Sequence, residues 1–160
     1  MNARVLGPGD GEILGMPEAV TDRFMISGED SAGGFALVEH GLAPRALAAP
    51  LHRHSREDEY SFVLEGRVGA LLGDEEVIGE AGDLIFKPRD QWHTFWNAGD
   101  TPARILEIIS PGGFEEACRE IDTLEGEPDP SQIAAIAARY GCDVDFERTM
   151  PIVERHGLAF

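Results

Sequence analysis

The sequence predicts an all-β fold, a barrel or sandwich of short strands, followed by a C-terminal helical extension. Three observations point there. Between about residues 20 and 110 the chain breaks into short runs of alternating apolar and polar residues, each bounded by Gly, Pro, Asp or Asn. The 160 residues include 19 Gly and 10 Pro with 42% hydrophobic content, a composition that suits a turn-rich folded domain rather than a disordered chain. After Ser110-Pro111-Gly112-Gly113 the apolar spacing changes from two residues to a helical period. The division expected is an N-terminal arm over 1–20, a barrel over 21–110 and a helical extension over 111–160 packing on the barrel. No long-period repeat occurs, so one barrel is expected.

The arm is rich in glycine, with a turn cluster at Gly7–Gly11 and a short edge strand at Glu12-Ile13-Leu14. Thr21–Ser27 and Gly34–His40 read as strands, and His40 as a solvent-facing residue at a strand end. Tyr60–Leu64 is a strand turned by Glu65-Gly66. Val68–Leu72 and Glu75–Ile78 form a hairpin about Gly73-Asp74. Leu84-Ile85-Phe86, His93–Asn97 and Ala103–Ile109 complete the set. Beyond it, Phe114, Ala117, Cys118 and Ile121 fall at helical spacing. Gly126 to Pro130 is a loop. Asp129 caps a second helix with Pro130 in its first turn, an apolar stripe of Ile133, Ile136, Ala137 and Tyr140, and Gly141 at its end. Val144-Asp145-Phe146 reads as extended, and Met150–His156 as a short helix stopped by Gly157.

The strongest chemical signal is His52-Arg-His54-Ser-Arg-Glu-Asp-Glu59. In an extended segment residues two apart share a face, so His52 and His54 project together. Pro50 favours that geometry. Glu59 needs a turn at Ser55–Asp58 to return to the same side. A second segment holds Gly82, Pro88, His93 and Asn97, with a turn at Arg89-Asp90-Gln91. Three imidazoles and one carboxylate, His52, His54, Glu59 and His93, suit one borderline divalent cation: Fe, Mn, Ni, Co, Cu or Zn. Four protein ligands leave open positions, as a catalytic ion requires.

These segments resemble the two motifs of the cupin superfamily. The first, Gly-x5-His-x-His-x3–4-Glu-x6-Gly, is matched from His52 to Gly66, with Ala46 in place of its leading Gly. The second, Gly-x5-Pro-x-Gly-x2-His-x3-Asn, is matched by Gly82, Pro88, His93 and Asn97, with Asp90 in place of its internal Gly. The resemblance implies a double-stranded β-helix, a jelly-roll barrel of six strands in two sheets, around a single metal held by His52, His54, Glu59 and His93. It also implies a homodimer, joined through sheet edges or an exchanged N-terminal segment.

Composition excludes several classes. A net charge of −17, with Lys87 as the single lysine, argues against nucleic acid and against anionic membrane surfaces. No apolar run reaches a membrane-spanning length and the N-terminus lacks a secretory pattern, so a cytoplasmic protein is expected, with Cys118 and Cys142 as reduced thiols.

By alternation from the ligands, Ser61, Val63 and Phe95, with Leu84 or Phe86 from a neighbouring strand, are the candidate substrate pocket. An apolar wall around an open metal suits a flat organic small molecule bound to the ion. The tail resembles that of small quercetin 2,3-dioxygenase-like proteins. That implies a metal-dependent dioxygenase acting on an aromatic or enol substrate, with Glu59 both ligand and catalytic base. The alternatives are a non-oxidative metal enzyme (isomerase, epimerase or decarboxylase) and a small-molecule sensor without turnover.

Overall fold

The computed structural model describes residues 3–125 and 129–160. Its strands are β1 (Glu12–Gly15), β2 (Val20–Ile26), β3 (Ala36–Leu42), β4 (His52–His54), β5 (Asp58–Glu65), β6 (Arg67–Leu72), β7 (Glu75–Glu80), β8 (Leu84–Lys87), β9 (His93–Asn97), β10 (Ala103–Ser110) and β11 (Cys142–Val144). The helices are α1 (Glu115–Asp122), α2 (Pro130–Arg139) and α3 (Phe146–His156). One sheet runs β1-β2-β3-β10-β5-β8 and the other β11-β4-β9-β6-β7. The barrel expected with six strands therefore has eleven in two sheets among the described residues, because short ligand-bearing and edge segments also pair.

Alternation sets what enters the barrel. In β10, Ala103, Ile105, Glu107 and Ile109 are buried while Arg104 and Ile108 are exposed. In β5, Glu59, Ser61 and Val63 face inward. One end is filled by Leu42, Val63, Val68, Ala70, Ile85, Phe95, Ala103 and Ile105. Strand β9 is buried on both faces, since its outer side packs Trp96 against Leu47, Leu51, Ile152 and Leu158. Gly69 lies beneath that indole, where a Cβ would come within 2.3 Å of the ring. Only a residue without a side chain lets Trp96 lie flat on the sheet.

The arm contributes β1, paired antiparallel to β2 at the sheet edge. The extension contributes a strand as well as helices: β11 pairs with β4, Val144 opposite His52 and Cys142 opposite His54. The extended reading holds for Val144 and Asp145 but not for Phe146, and the short final helix expected at Met150–His156 is longer at its start. Helix α3 begins at Phe146, because Asp145 caps it by accepting the Arg148 N–H at 2.8 Å. Gly157 ends it in the left-handed region, at φ 59°. Asp129 caps α2 as expected, with Gln132 returning the bond. The loop expected at Gly126–Pro130 lies partly outside the described residues. Among the described residues no helix is long and apolar enough to cross a membrane.

Candidate metal centre and its cavity

Strand pairing assembles the predicted ligands. His52 and His54 share the inner face of β4, and His52 is the cross-strand partner of His93 on β9. Glu59 enters from β5 in the opposite sheet. The turn before β9 places Asp90 at φ 65°, and its N–H donates to His54 O at 2.7 Å. Asp tolerates this conformation better than most residues, which is why it serves where the motif has glycine. Donor atoms of His52, His54, Glu59 and His93 all lie within 4.8 Å of one another, and all four residues are buried.

The imidazoles are oriented by their outer nitrogens. His52 Nδ1–H donates to Pro50 O at 2.7 Å, and His93 Nδ1–H donates to Gln91 O at 3.0 Å. Both rings then turn an Nε2 lone pair to the centre. Glu59 Oε1 lies 3.1 Å from His54 Nε2, and Glu59 Oε2 lies 3.1 Å from His93 Nε2. Metal bonds of about 2.1 Å at right angles place adjacent donors about 3 Å apart, so the Oε1–His54 Nε2 spacing is that of two ligands sharing one ion. His54 Nε2 is fully buried with no properly directed hydrogen-bond partner. A buried nitrogen of that kind is costly unless a cation takes its lone pair.

Electrostatics give the same answer. Glu57 (2% exposed), Glu59 and Glu107 (1%) are buried around a single buried cationic side chain, Lys87. Glu59 and Glu107 share that one ammonium, while Glu57 has Arg56 Nε and His54 Nδ1 each at 3.5 Å, so the anionic groups at the ligand set are met by protons and cations that a bound dication would join or displace. A fourth buried carboxylate, Glu115, is satisfied separately by the N–H groups of Gly28 and Gly113. Burial alone would favour neutral His54, yet the Glu59 carboxylate, Cys142 and Glu57 lift it to about 12. Burial opposes the charge on Glu59, but Lys87 and His54 override it and hold the carboxyl well below its usual range. His52 is pushed well below its usual value by burial and by His93 and His54, which keeps it a neutral donor. The residues fit a divalent cation.

Several readings from alternation change here. Ser61 and Val63 are interior, but Val63 belongs to the packed apolar end. Phe95 is interior and its ring lies 4.1 Å from Lys87 Nζ. Phe86 and Leu84 are on the outside, 46% and 59% exposed, because β8 turns Ile85 and Lys87 inward. Phe86 stacks on Tyr60 there, at 5.0 Å between ring centroids. His40 is not a solvent-facing strand end. Its ring stands 5.7 Å from Phe95, with Nδ1 2.7 Å from Asp22 Oδ1 and Nε2 4.0 Å from Glu107 Oε2. Glu59 is interior, as a ligand must be, and Glu57 is interior beside it.

A mainly apolar cavity of about 270 Å³ reaches one of the ligands, His52, which stands in its wall. Pro50 and Asp22 line one side, and Phe114, Cys118, Ile133 and Ala137 of the extension line the other. The apolar stripe of α2 thus roofs this cavity as well as packing on the barrel. Phe114 also sets its ring edge-on to His54, 4.3 Å between centroids. Cys118 and Cys142 are both free thiols in the same wall, and burial pushes the Cys118 thiol up.

Residues 38–109 match the family model for the cupin domain. The chain is 34% identical over 84 residues to the tetracenomycin polyketide synthase protein TcmJ of Streptomyces glaucescens, covering 52% of this chain and 54% of that one. The chain spans about half the length of the curated relatives it matches. Among solved structures, the polyketide cyclase RemF of Streptomyces resistomycificus is 30% identical with a TM-score of 0.57, covering 69% of this chain and 80% of that one. A predicted oxalate decarboxylase of Thermotoga maritima shares the fold at a TM-score of 0.62 and 21% identity, covering 68% of this chain and 99% of that one.

Proposed function

The chain belongs to the cupin superfamily, and from that premise we propose that it is a metal-dependent enzyme acting on a flat enolic or poly-β-ketone substrate, which it cyclises without net oxidation. The observation that carries the reading is that His52, one of four convergent buried ligands, lines an apolar cavity of about 270 Å³. Such a cavity binds a planar, weakly charged molecule and brings its oxygens to the ligand set. The similarity to TcmJ and RemF supports a polyketide-type substrate and favours cyclisation. The dioxygenase expected from the quercetinase-like resemblance would use the same enol chemistry, but it needs O₂ as co-substrate.

His52, His54, Glu59 and His93 would hold the ion, which when bound supplies Lewis-acid polarisation of a substrate carbonyl. The protein supplies the rest. Phe114, Ile133 and Ala137 exclude water and hold the substrate flat. Asp22, in the same wall and hydrogen-bonded to His40, takes the proton from the carbon between two carbonyls. That carbon then attacks a second carbonyl carbon of the same molecule, whose oxygen gains a proton, and loss of water completes the ring.

The test is product mass on protein loaded separately with Mn, Fe, Co, Ni and Zn, using short poly-β-ketone and anthrone-type compounds, with and without air. Metal-dependent loss of water at an unchanged rate without air is the expected result. Incorporation of dioxygen would establish the oxygenase instead, and no turnover with any metal would overturn both.

A further inference from the structure

Lys87 is the chain's single lysine and it is inside the barrel, 1% exposed. It is the cross-strand neighbour of Glu59, as Ser61 is of Glu107. Lys87 Nζ lies 2.8 Å from Glu59 Oε2 and 3.0 Å from Glu107 Oε2. Glu107 Oε2 also accepts from Ser61 Oγ at 2.7 Å, and the Phe95 ring covers the ammonium at 4.1 Å. The two oxygens of Glu59 are therefore unlike. Oε2 is met by the Lys87 ammonium at 2.8 Å and by His93 Nε2 at 3.1 Å, whereas Oε1 faces His54 Nε2 at 3.1 Å and has no ammonium on it.

A carboxylate can give a cation one oxygen or two. An ammonium already seated on one oxygen repels a dication from it, and in a buried site that repulsion is weakly screened. We propose that Lys87 is a positioning residue of the metal centre: by holding Glu59 Oε2 it makes Glu59 a one-oxygen ligand through Oε1, which keeps about two positions of an octahedron open to substrate. Glu107 and Ser61 are the anchor that seats the ammonium. This rests on the metal site proposed above and adds to it, because four ligand residues do not by themselves fix how many oxygens bind or how many positions stay free.

The first test needs no variant. The infrared difference spectrum of Zn(II)-loaded minus metal-free protein reports the separation of the two carboxylate stretches, wide for one-oxygen and narrow for two-oxygen binding. A wide separation is expected. A narrow one overturns the role of Lys87 while leaving the metal site intact, and failure to take up Zn(II) overturns both. Lys87→Met should narrow the separation and weaken acetohydroxamate binding to the Co(II)-loaded protein by about tenfold. Lys87→Arg, which keeps a cation and a donor, should restore both. If Lys87→Met does not fold, Lys87→Gln, which falls short of Oε2, takes its place with the same expected direction. A folded Met or Gln variant with the wild-type spectrum and hydroxamate affinity overturns the proposal.

Discussion

The two ends of the barrel interior are built from the same strands and do opposite things. Along β5 the inward residues run Glu59, Ser61, Val63, and along β10 they run Glu107, Ile105, Ala103. One end is a close-packed apolar cluster, and the other, two residues away on β10 and four on β5, is a set of buried charges. The packed end obtains its stability from removal of apolar surface. The charged end costs stability unless each charge finds its partner. Strand alternation dictates which residues face in. It does not dictate that they be apolar, and the barrel uses that freedom at one end only.

The comparison can be broken first at the charged end. His93→Ala removes a ligand that pairs with His52 across the strands, so metal content should fall from about one per chain to near zero while circular dichroism still reports a folded barrel. Stripping the wild type with chelator should act in the same direction and lower Tm, since a ligand present at a hundredfold over its Kd stabilises by about 2.7 kcal/mol. A Tm unmoved by chelator would count against a bound ion. At the packed end, Ile105→Ala opens a cavity in a cluster with no polar member, so denaturant unfolding should show a loss of about 2–5 kcal/mol. Its metal content should be unchanged, and loss of the ion would mean the two ends are not independent.

A smaller effect is expected from the His40–Asp22 pair. Burial opposes protonation of His40, yet Asp22 and Glu107 outweigh it and raise its pKa above the usual imidazole value. The folded state therefore holds this proton more tightly than the unfolded chain. The pair's stabilisation is fully present below about pH 6.5 and is lost as the pH rises through the higher folded-state value. The stability difference between wild type and Asp22→Asn should thus shrink from pH 6 toward alkaline pH, and a difference that grows would reverse the assignment. The smallest change is Asp90→Gly, which relieves a φ of 65° by well under about 1 kcal/mol and should leave metal content unaltered.

Much of this was legible in the residues themselves. His-x-His on a strand, a carboxylate beyond a turn and a third histidine before Asn97 specify a convergent ligand set, because strand period and turn chemistry are local properties. Asn97 shows why that motif ends as it does: its Nδ2 donates to Leu42 O, Ala43 O and Thr101 O, fastening the strand end. Strand parity was harder. Phe86 and Lys87 are adjacent, and the apolar residue is the natural choice for the interior. Lys87 goes inside because Glu59 and Glu107 await it there, a tertiary fact that no window along the chain contains. A sign was nonetheless present, since the only lysine of a strongly acidic chain sits in an apolar strand and Glu107 occupies an inward slot between Ile105 and Ile109. His40 was misread for the same reason, its partners lying on other strands. The cavity roof was invisible in sequence because the α2 stripe that packs on the barrel is the stripe that lines the cavity.

The central claim is that one divalent ion sits among His52, His54, Glu59 and His93. The most direct measurement is elemental analysis of protein purified without chelator or affinity metal, before and after reconstitution, beside His93→Ala treated identically. About one transition metal per wild-type chain and almost none in the variant is the result expected. A wild type that takes up no ion from Mn through Zn, or a variant that keeps a full complement, would contradict it.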